Sequence, residues 1–200
     1  MSERNRSLIP SGAYPSRNSL YRFNFRPHPS RFSKDTVPRS TAYWSANMYP
    51  DSEAEPRPAA PLRDLPPLAS GRFRSLRDGL LALPEVTERV RFMGVQWRWA
   101  WEYGLPGRRL CWLHVMDTGI GGTFTVSDDE ERHLLLTRRV PAVVARAIRD
   151  GQRTGPVRWC WIEFGERRTI ESFLGFMKRK AVLVRATPAD VRIFGRSKTG

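Results

Sequence analysis

Alternation of apolar and polar side chains is clearest over residues 95–103, where Trp97, Trp99 and Trp101 occupy every second position. A period of two is typical of a β-strand, because successive side chains point to opposite faces of the sheet. The same pattern predicts further strands at residues 109–116, 123–126 and 157–164. The glycine-rich stretch 117–122 is predicted to be a hairpin loop.

Apolar residues spaced three or four positions apart predict helices elsewhere in the chain. A short helix is predicted around Leu76–Leu83. A second is predicted from Pro84-Glu85 to Met93, since proline suits the first turn and an acid suits the positive helix end. Two more are predicted at 129–150, after Ser127 and divided or kinked at Pro141, and at 169–179. The order predicts an α+β fold, with a largely antiparallel sheet of about four strands covered by helices and preceded by a disordered tail.

Proline is concentrated in residues 1–70, which contain few apolar runs. Such a segment buries too little apolar surface to offset the loss of chain entropy. The sequence therefore predicts a disordered, basic, Pro-rich tail and linker over 1–70 and one α+β domain over 71–195. Two alternatives for the tail are an over-extended gene start, with Met48 as the true first residue, and organellar targeting, which the repeated prolines oppose.

The formal net charge of +14 raises the hypothesis of nucleic-acid binding. Only four of the 34 basic residues are lysine, however, and such an excess of arginine is typical of a GC-rich genome. The chain contains no run of about eighteen apolar residues, so the sequence predicts no transmembrane helix. Cys111 and Cys160 lie far apart and have no zinc-ligand spacing, and they are predicted to be buried, inert thiols. Thiols of this kind suit a reducing compartment, so the protein is predicted to be cytoplasmic, without a membrane anchor.

The tryptophans pose the main functional question. Trp97, Trp99 and Trp101 are predicted to share one strand face opposite Arg98, which counts against a nucleic-acid stacking platform because its arginines would be needed on the tryptophan face. At least one of Trp159 and Trp161 is predicted to be deep core, and the strand that carries Trp99 and Trp101 is predicted to lie at a sheet edge or a pocket rim. The candidate ligand-pocket residues are Trp97, Trp99, Trp101, Trp112, His114, Trp159 and Trp161.

Several segments together resemble a small bacterial family catalogued as domain of unknown function 3788. They are PEVTERVRFMG, WRWAWEYG, RRLCWLHVMDTGIGGTFTVS, VRWCWIEFG and RRTIESFLGFMKRK, within residues 73–183. The shared features are an aromatic strand, Gly122-Thr123-Phe124 after a turn, and a late strand before a helix that carries Lys178. Where the family often has a proline after the lysine, this chain has Ala181. The resemblance implies a fold similar to frataxin-like and iron-chaperone-like α+β domains, and implies no chemistry.

Candidate catalytic chemistry is sparse. Asp117-Thr118-Gly119 resembles the triplet of aspartic proteases, but that chemistry needs two aspartates and one triplet is present. The acidic residues after Ser127 suit a helix start better than a cation site. We therefore predict no catalytic residue, cofactor or metal. Five basic residues near the last helix are candidates for an anion or partner patch: Arg167, Arg168, Lys178, Arg179 and Lys180.

Three functions follow in order of preference. The leading hypothesis is non-enzymatic binding of a small ligand or protein partner through the aromatic sheet face. The second is nucleic-acid association through the Arg-rich tail and the last helix. The third is a hydrolase that uses Asp117 or His114.

Overall fold

A computed structural model describes residues 46–136 and 140–186. These residues form six strands and five helices. The strands are β1 (Thr87–Phe92), β2 (Trp99–Leu105), β3 (Arg108–Met116), β4 (Gly119–Ser127), β5 (Gln152–Thr154) and β6 (Val157–Glu163). The helices are α1 (Ala60–Asp64), α2 (Pro67–Leu81), α3 (Asp128–Leu136), α4 (Ala142–Arg149) and α5 (Arg167–Ala186).

The strands form one sheet in the order β1-β2-β3-β4-β6-β5, and every neighbouring pair is antiparallel. The predicted α+β class is confirmed, with two strands more than expected. The core lies between one sheet face and the helices, where Phe124 on β4 contacts Phe173 and Phe176 on α5 with ring centroids 6.0 and 5.4 Å apart. We call this the helix face of the sheet. Within the described residues, no helix is long and apolar enough to cross a membrane.

The helix predicted from Pro84 to Met93 is wrong. Glu85 has φ 60°, a left-handed conformation that does not start a helix, and the strand β1 begins two residues later. Arg77 on α2 donates to both Glu88 carboxylate oxygens, and the Tyr103 hydroxyl donates to the same carboxylate over 2.7 Å. Tertiary hydrogen bonds therefore hold β1 at the sheet edge, and the apolar residues at helical spacing misled the prediction.

Residues 46–59, assigned by the sequence to the disordered tail, pack against the domain in the structure. We call them the strap. The indole Nε1 atoms of Trp99 and Trp101 donate to the carbonyls of Asp51 and Pro58 over 2.6 and 2.8 Å. The Asn47 amide donates to the Trp99 carbonyl over 3.1 Å. The domain thus includes residues 46–70, whereas residues 1–45 and 187–195 lie outside the described part.

The glycine-rich stretch predicted as a loop is mostly strand, since β4 begins at Gly119. Two of its glycines provide room for rings rather than for a turn. A Cβ on Gly121 would lie 2.2 Å from the Trp161 indole, and one on Gly122 would lie 2.8 Å from the Phe164 ring. The rings of Trp161 and Phe164 therefore lie close to the β4 backbone, on its two faces.

The region predicted as a helix over 129–150, divided or kinked at Pro141, is two helices, α3 and α4, and Pro141 occupies the N-cap position of the second. The start predicted at Ser127 is confirmed as a capping box. The Ser127 backbone N–H donates to the Glu130 carboxylate over 2.8 Å, and the Glu130 N–H donates to the Ser127 hydroxyl over 3.2 Å. The last helix, α5, is longer than its predicted range 169–179.

Both cysteines are buried, as predicted. They lie on the helix face, since Cys111 and Cys160 pair on either side of Phe124. Burial raises the pKa of both thiols, that of Cys160 to about 12. We expect neither thiol to be alkylated appreciably by iodoacetamide in the native protein at neutral pH, and both to react once the chain is unfolded. Peptide mass spectrometry measures the labelling of each cysteine. Rapid labelling of either thiol in the native protein would contradict this packing.

Candidate ligand-binding face

The second face of the sheet carries a separate aromatic cluster. Strand alternation places Trp112 and His114 of β3 on this face, beside Thr123 of β4 and Trp161 of β6. Trp97, in the turn before β2, folds over the same face. We call the following set the aromatic face: Trp97, Trp112, His114, Trp159 and Trp161. In the described part of the chain, no helix covers it.

The rings of this face form a continuous layer. Trp112 and Trp159 are stacked, with centroids 5.2 Å apart and planes 25° apart. Trp97 lies 6.3 Å from Trp159 and 5.9 Å from His114, and His114 lies 5.7 Å from Trp161. Trp112 is only 3% exposed, whereas Trp97, Trp159 and Trp161 are half-buried. The layer thus has a buried base and three partly exposed indoles.

His114 lies at the bottom of the layer and is fully buried. Its Nε2 shares a 2.9 Å hydrogen bond with the Thr123 hydroxyl, and its ring lies beside Trp97 and Trp161. Burial lowers the pKa of the imidazole from 6.5 to about 3, because the charged form would lose its hydration. His114 is therefore neutral at physiological pH and helps to support the tryptophans.

The depressed pKa of His114 predicts acid destabilisation of the fold. Below pH 6.5 the histidine of the unfolded chain binds a proton, whereas His114 of the native chain stays neutral until the pH approaches 3. The free energy of unfolding therefore has its full value above pH 6.5 and falls as the pH drops toward 3. At about 1.4 kcal/mol per pH unit, lowering the pH to 5 should cost about 2 kcal/mol. Urea unfolding between pH 7 and 5 measures this cost.

A matched pair of histidine variants isolates the effect. His114→Asn should be less stable at pH 7 yet should lose less stability on acidification than the parent protein. His133 is exposed on α3, so His133→Gln should keep the full pH dependence. Equal pH slopes in the parent protein and His114→Asn would show that His114 does not cause the acid sensitivity.

The turn that carries Trp97 is tightly closed. Arg98 has φ 56°, and the Met93 N–H donates to the Arg98 carbonyl over 2.7 Å. The Arg98 guanidinium donates to the Pro50 carbonyl over 2.9 Å. This geometry rotates Trp97 out of the β2 alternation, and it leaves Val95 84% exposed. A left-handed arginine costs conformational energy, and such residues recur at binding sites.

The structure divides the predicted pocket residues between two faces. Trp99 and Trp101 lie on the helix face and are buried, Trp101 completely, against Phe73 and Tyr49. The prediction that their strand lies at an edge or a pocket rim is therefore wrong, since β1 and β3 also pair with β2 on its two sides. The prediction that Trp159 or Trp161 is deep core is also wrong, because both are partly exposed on the aromatic face. The sequence did not show which side the helices cover.

A charged group missed by the sequence borders the aromatic face. Glu102, on β2, is buried, and one of its carboxylate oxygens accepts from the Trp112 indole over 3.0 Å. The same oxygen contacts Arg91 at 3.4 Å and Arg109 at 3.2 Å. Arg89 lies opposite Glu102 on β1. Recognition of β1 as a strand would have placed Arg89 and Arg91 on this face.

The predicted anion patch on the last helix is not one surface. Lys180 is 1% exposed and pairs with Glu130 over 3.0 Å, so it does not belong to a surface patch. Arg167 contacts Glu171 over 2.8 Å. Arg168 and Lys178 are exposed, but ten residues of helix separate them by roughly 15 Å. Arg179 is half-buried.

The residues of the hydrolase hypothesis are not assembled into a site. Asp117 is exposed in the β3–β4 turn, whereas His114 is buried beneath the tryptophans. Within residues 46–136 and 140–186, no group of three His, Cys, Asp or Glu side chains could hold a metal ion.

No family model and no curated protein matches the chain. The resemblance to domain of unknown function 3788 therefore stays a prediction.

Proposed function

We propose that this protein is a non-enzymatic binding module whose aromatic face takes a small ligand that carries a planar ring. One observation carries the proposal: three partly exposed indoles lie together on a sheet face that no helix of the described residues covers. Apolar surface concentrated in this way is typical of a binding site, because exposure to water is unfavourable.

The geometry of the rings favours a flat ligand. Trp161 lies over Gly121, where a side chain would collide with it, so its ring is held against the sheet. Trp159 is held by stacking on Trp112, whose indole is in turn held by Glu102. A ligand ring can stack on such fixed indoles with little loss of side-chain entropy. A protein partner, the other occupant that the sequence suggests, would need to present an aromatic side chain here.

The dye anilinonaphthalene sulfonate tests this proposal, since it carries a planar naphthalene ring and becomes fluorescent on apolar protein surfaces. We expect the native protein to bind the dye, with quenching of tryptophan emission. Trp161→Ala and Trp97→Ala should each weaken dye binding severalfold. Leu68→Ala and Val182→Ala remove exposed apolar side chains from helices and are the matched controls. Equal dye binding by all four variants would contradict the proposal.

The second hypothesis from the sequence placed nucleic acid on the tail and the last helix. The burial of Lys180 and the separation of Arg168 from Lys178 weaken the helix part of that hypothesis. The tail lies outside the described residues. The arginines beside the aromatic face provide a different reason to consider nucleic acid.

A further inference from the structure

The aromatic face has a cationic border on the same side of the sheet. Cross-strand partners share a face, so Arg89, opposite Glu102, and Arg91, opposite Ala100, lie on the side of Trp112. Arg109 reaches the same side, as its contact with Glu102 shows. One carboxylate therefore faces two guanidinium groups, and the exposed Arg89 adds a further positive charge. The border is net positive.

The border and the indoles are joined by direct contacts. Glu102 binds Arg91, Arg109 and the Trp112 indole at once. Trp112 stacks on Trp159, and the layer continues through Trp97 and His114 to Trp161. The side chains of Arg91 and Arg109 are 48% and 57% exposed, so both guanidinium groups can contact a second anion beyond Glu102. Fixed rings and orientated cations thus form one surface.

This combination matches the chemistry of an unpaired nucleotide chain. Bases stack on aromatic side chains and phosphates bind arginine, whereas an uncharged ring compound would make no use of the arginines. In a duplex the base faces are already stacked and cannot reach the indoles. From the sequence, the position of Arg98 on the face opposite the tryptophans counted against base stacking. Other arginines lie on the same face as the indoles. Arg89, Arg91 and Arg109 satisfy the requirement.

We infer that the aromatic face binds single-stranded nucleic acid, with bases on Trp97, Trp159 and Trp161 and phosphates on the arginine border of Arg89, Arg91 and Arg109. This inference rests on the proposed function, because the planar rings that stack on the same indoles are here the bases of a nucleotide chain rather than those of a small molecule. It does not involve the basic tail.

Fluorescence anisotropy of the full chain with a labelled single-stranded oligonucleotide of about twelve nucleotides tests the inference. Trp161→Ala should weaken binding about tenfold or more. Arg91→Gln combined with Arg109→Gln should weaken it and lower the salt slope by about 1.4, for two lost phosphate contacts. Arg89→Glu reverses a charge on the same border and should also weaken binding. Because Arg89 is exposed, this variant still tests the border if another variant misfolds. Arg74→Gln and Arg146→Gln are the surface controls, because both residues are exposed on helices.

The competing outcomes separate the two proposals. Residues 1–45 carry eight basic and two acidic side chains, so they can bind any polyanion. Binding that the face variants leave unchanged, or binding of a duplex as tight as that of the single strand, would overturn the inference and leave the dye result standing. Binding of a free mononucleotide as tight as that of the oligonucleotide would replace the polymer with a nucleotide ligand. Failure of both oligonucleotide and dye would overturn the proposed function too.

Discussion

Trp101→Ala is expected to cost about 3–5 kcal/mol of folding free energy, which is enough to unfold a domain of ordinary stability. Trp101 is completely buried on the helix face, where its ring contacts Phe73 and Tyr49. Its indole N–H also holds the strap through the Pro58 carbonyl. The substitution therefore leaves a cavity and releases the strap, and urea unfolding followed by circular dichroism measures the loss.

Trp161→Ala is the matched control, because it removes the same side chain from the other face. Trp161 is partly exposed, so its loss should cost roughly 1–2 kcal/mol. Equal destabilisation by the two substitutions would mean that both faces are core, and the aromatic face would then not be a surface for ligands.

Lys180→Met should also cost about 3–5 kcal/mol, because it leaves a buried carboxylate without its cation. The Lys180 ammonium donates to Glu130 over 3.0 Å and to the Thr125 carbonyl over 2.7 Å. These two hydrogen bonds join α5 to the start of α3 and to β4. Thermal unfolding monitored by circular dichroism measures the cost.

A double-variant cycle tests whether the pair is coupled. Glu130→Gln retains a side chain that can accept from the Ser127 N–H but removes the charge. Combined with Lys180→Met, it should recover part of the loss, with a coupling energy of roughly 1–3 kcal/mol. Additive losses in the double variant would show that the ion pair does not couple the two helices.

The segments with a single clear period were predicted from the sequence. β3 and β6 lie within a residue or two of their predicted bounds, and the cap at Ser127 was identified. The predictions failed where tertiary contacts, rather than local periodicity, determine the structure. β1 has β-branched and aromatic residues at alternating positions, but the Pro84-Glu85 start signal favoured a helix. The strap is ordered because the indoles of Trp99 and Trp101 bond to its carbonyls, which composition cannot show.

The aromatic face was predicted in part. The sequence singled out its tryptophans and His114, but it grouped Trp97 with Trp99 because alternation was assumed to run through residues 95–98. The turn at Arg98 breaks that alternation. The sequence also gave no sign that the helices would cover Trp101 and leave Trp161 partly exposed, since both strands are rich in apolar residues. The arginine border was missed together with β1.

The tryptophan indole N–H signals in a two-dimensional NMR spectrum test the central claim most directly, because both faces report within one molecule. Each signal is assigned from a single Trp→Phe variant, and the protein is then titrated with anilinonaphthalene sulfonate. We predict that the signals of Trp97, Trp159 and Trp161 shift, while those of Trp99 and Trp101, on the helix face, stay in place. Shifts confined to Trp99 and Trp101, or no shift at any indole, would contradict the assignment of the aromatic face as the binding surface.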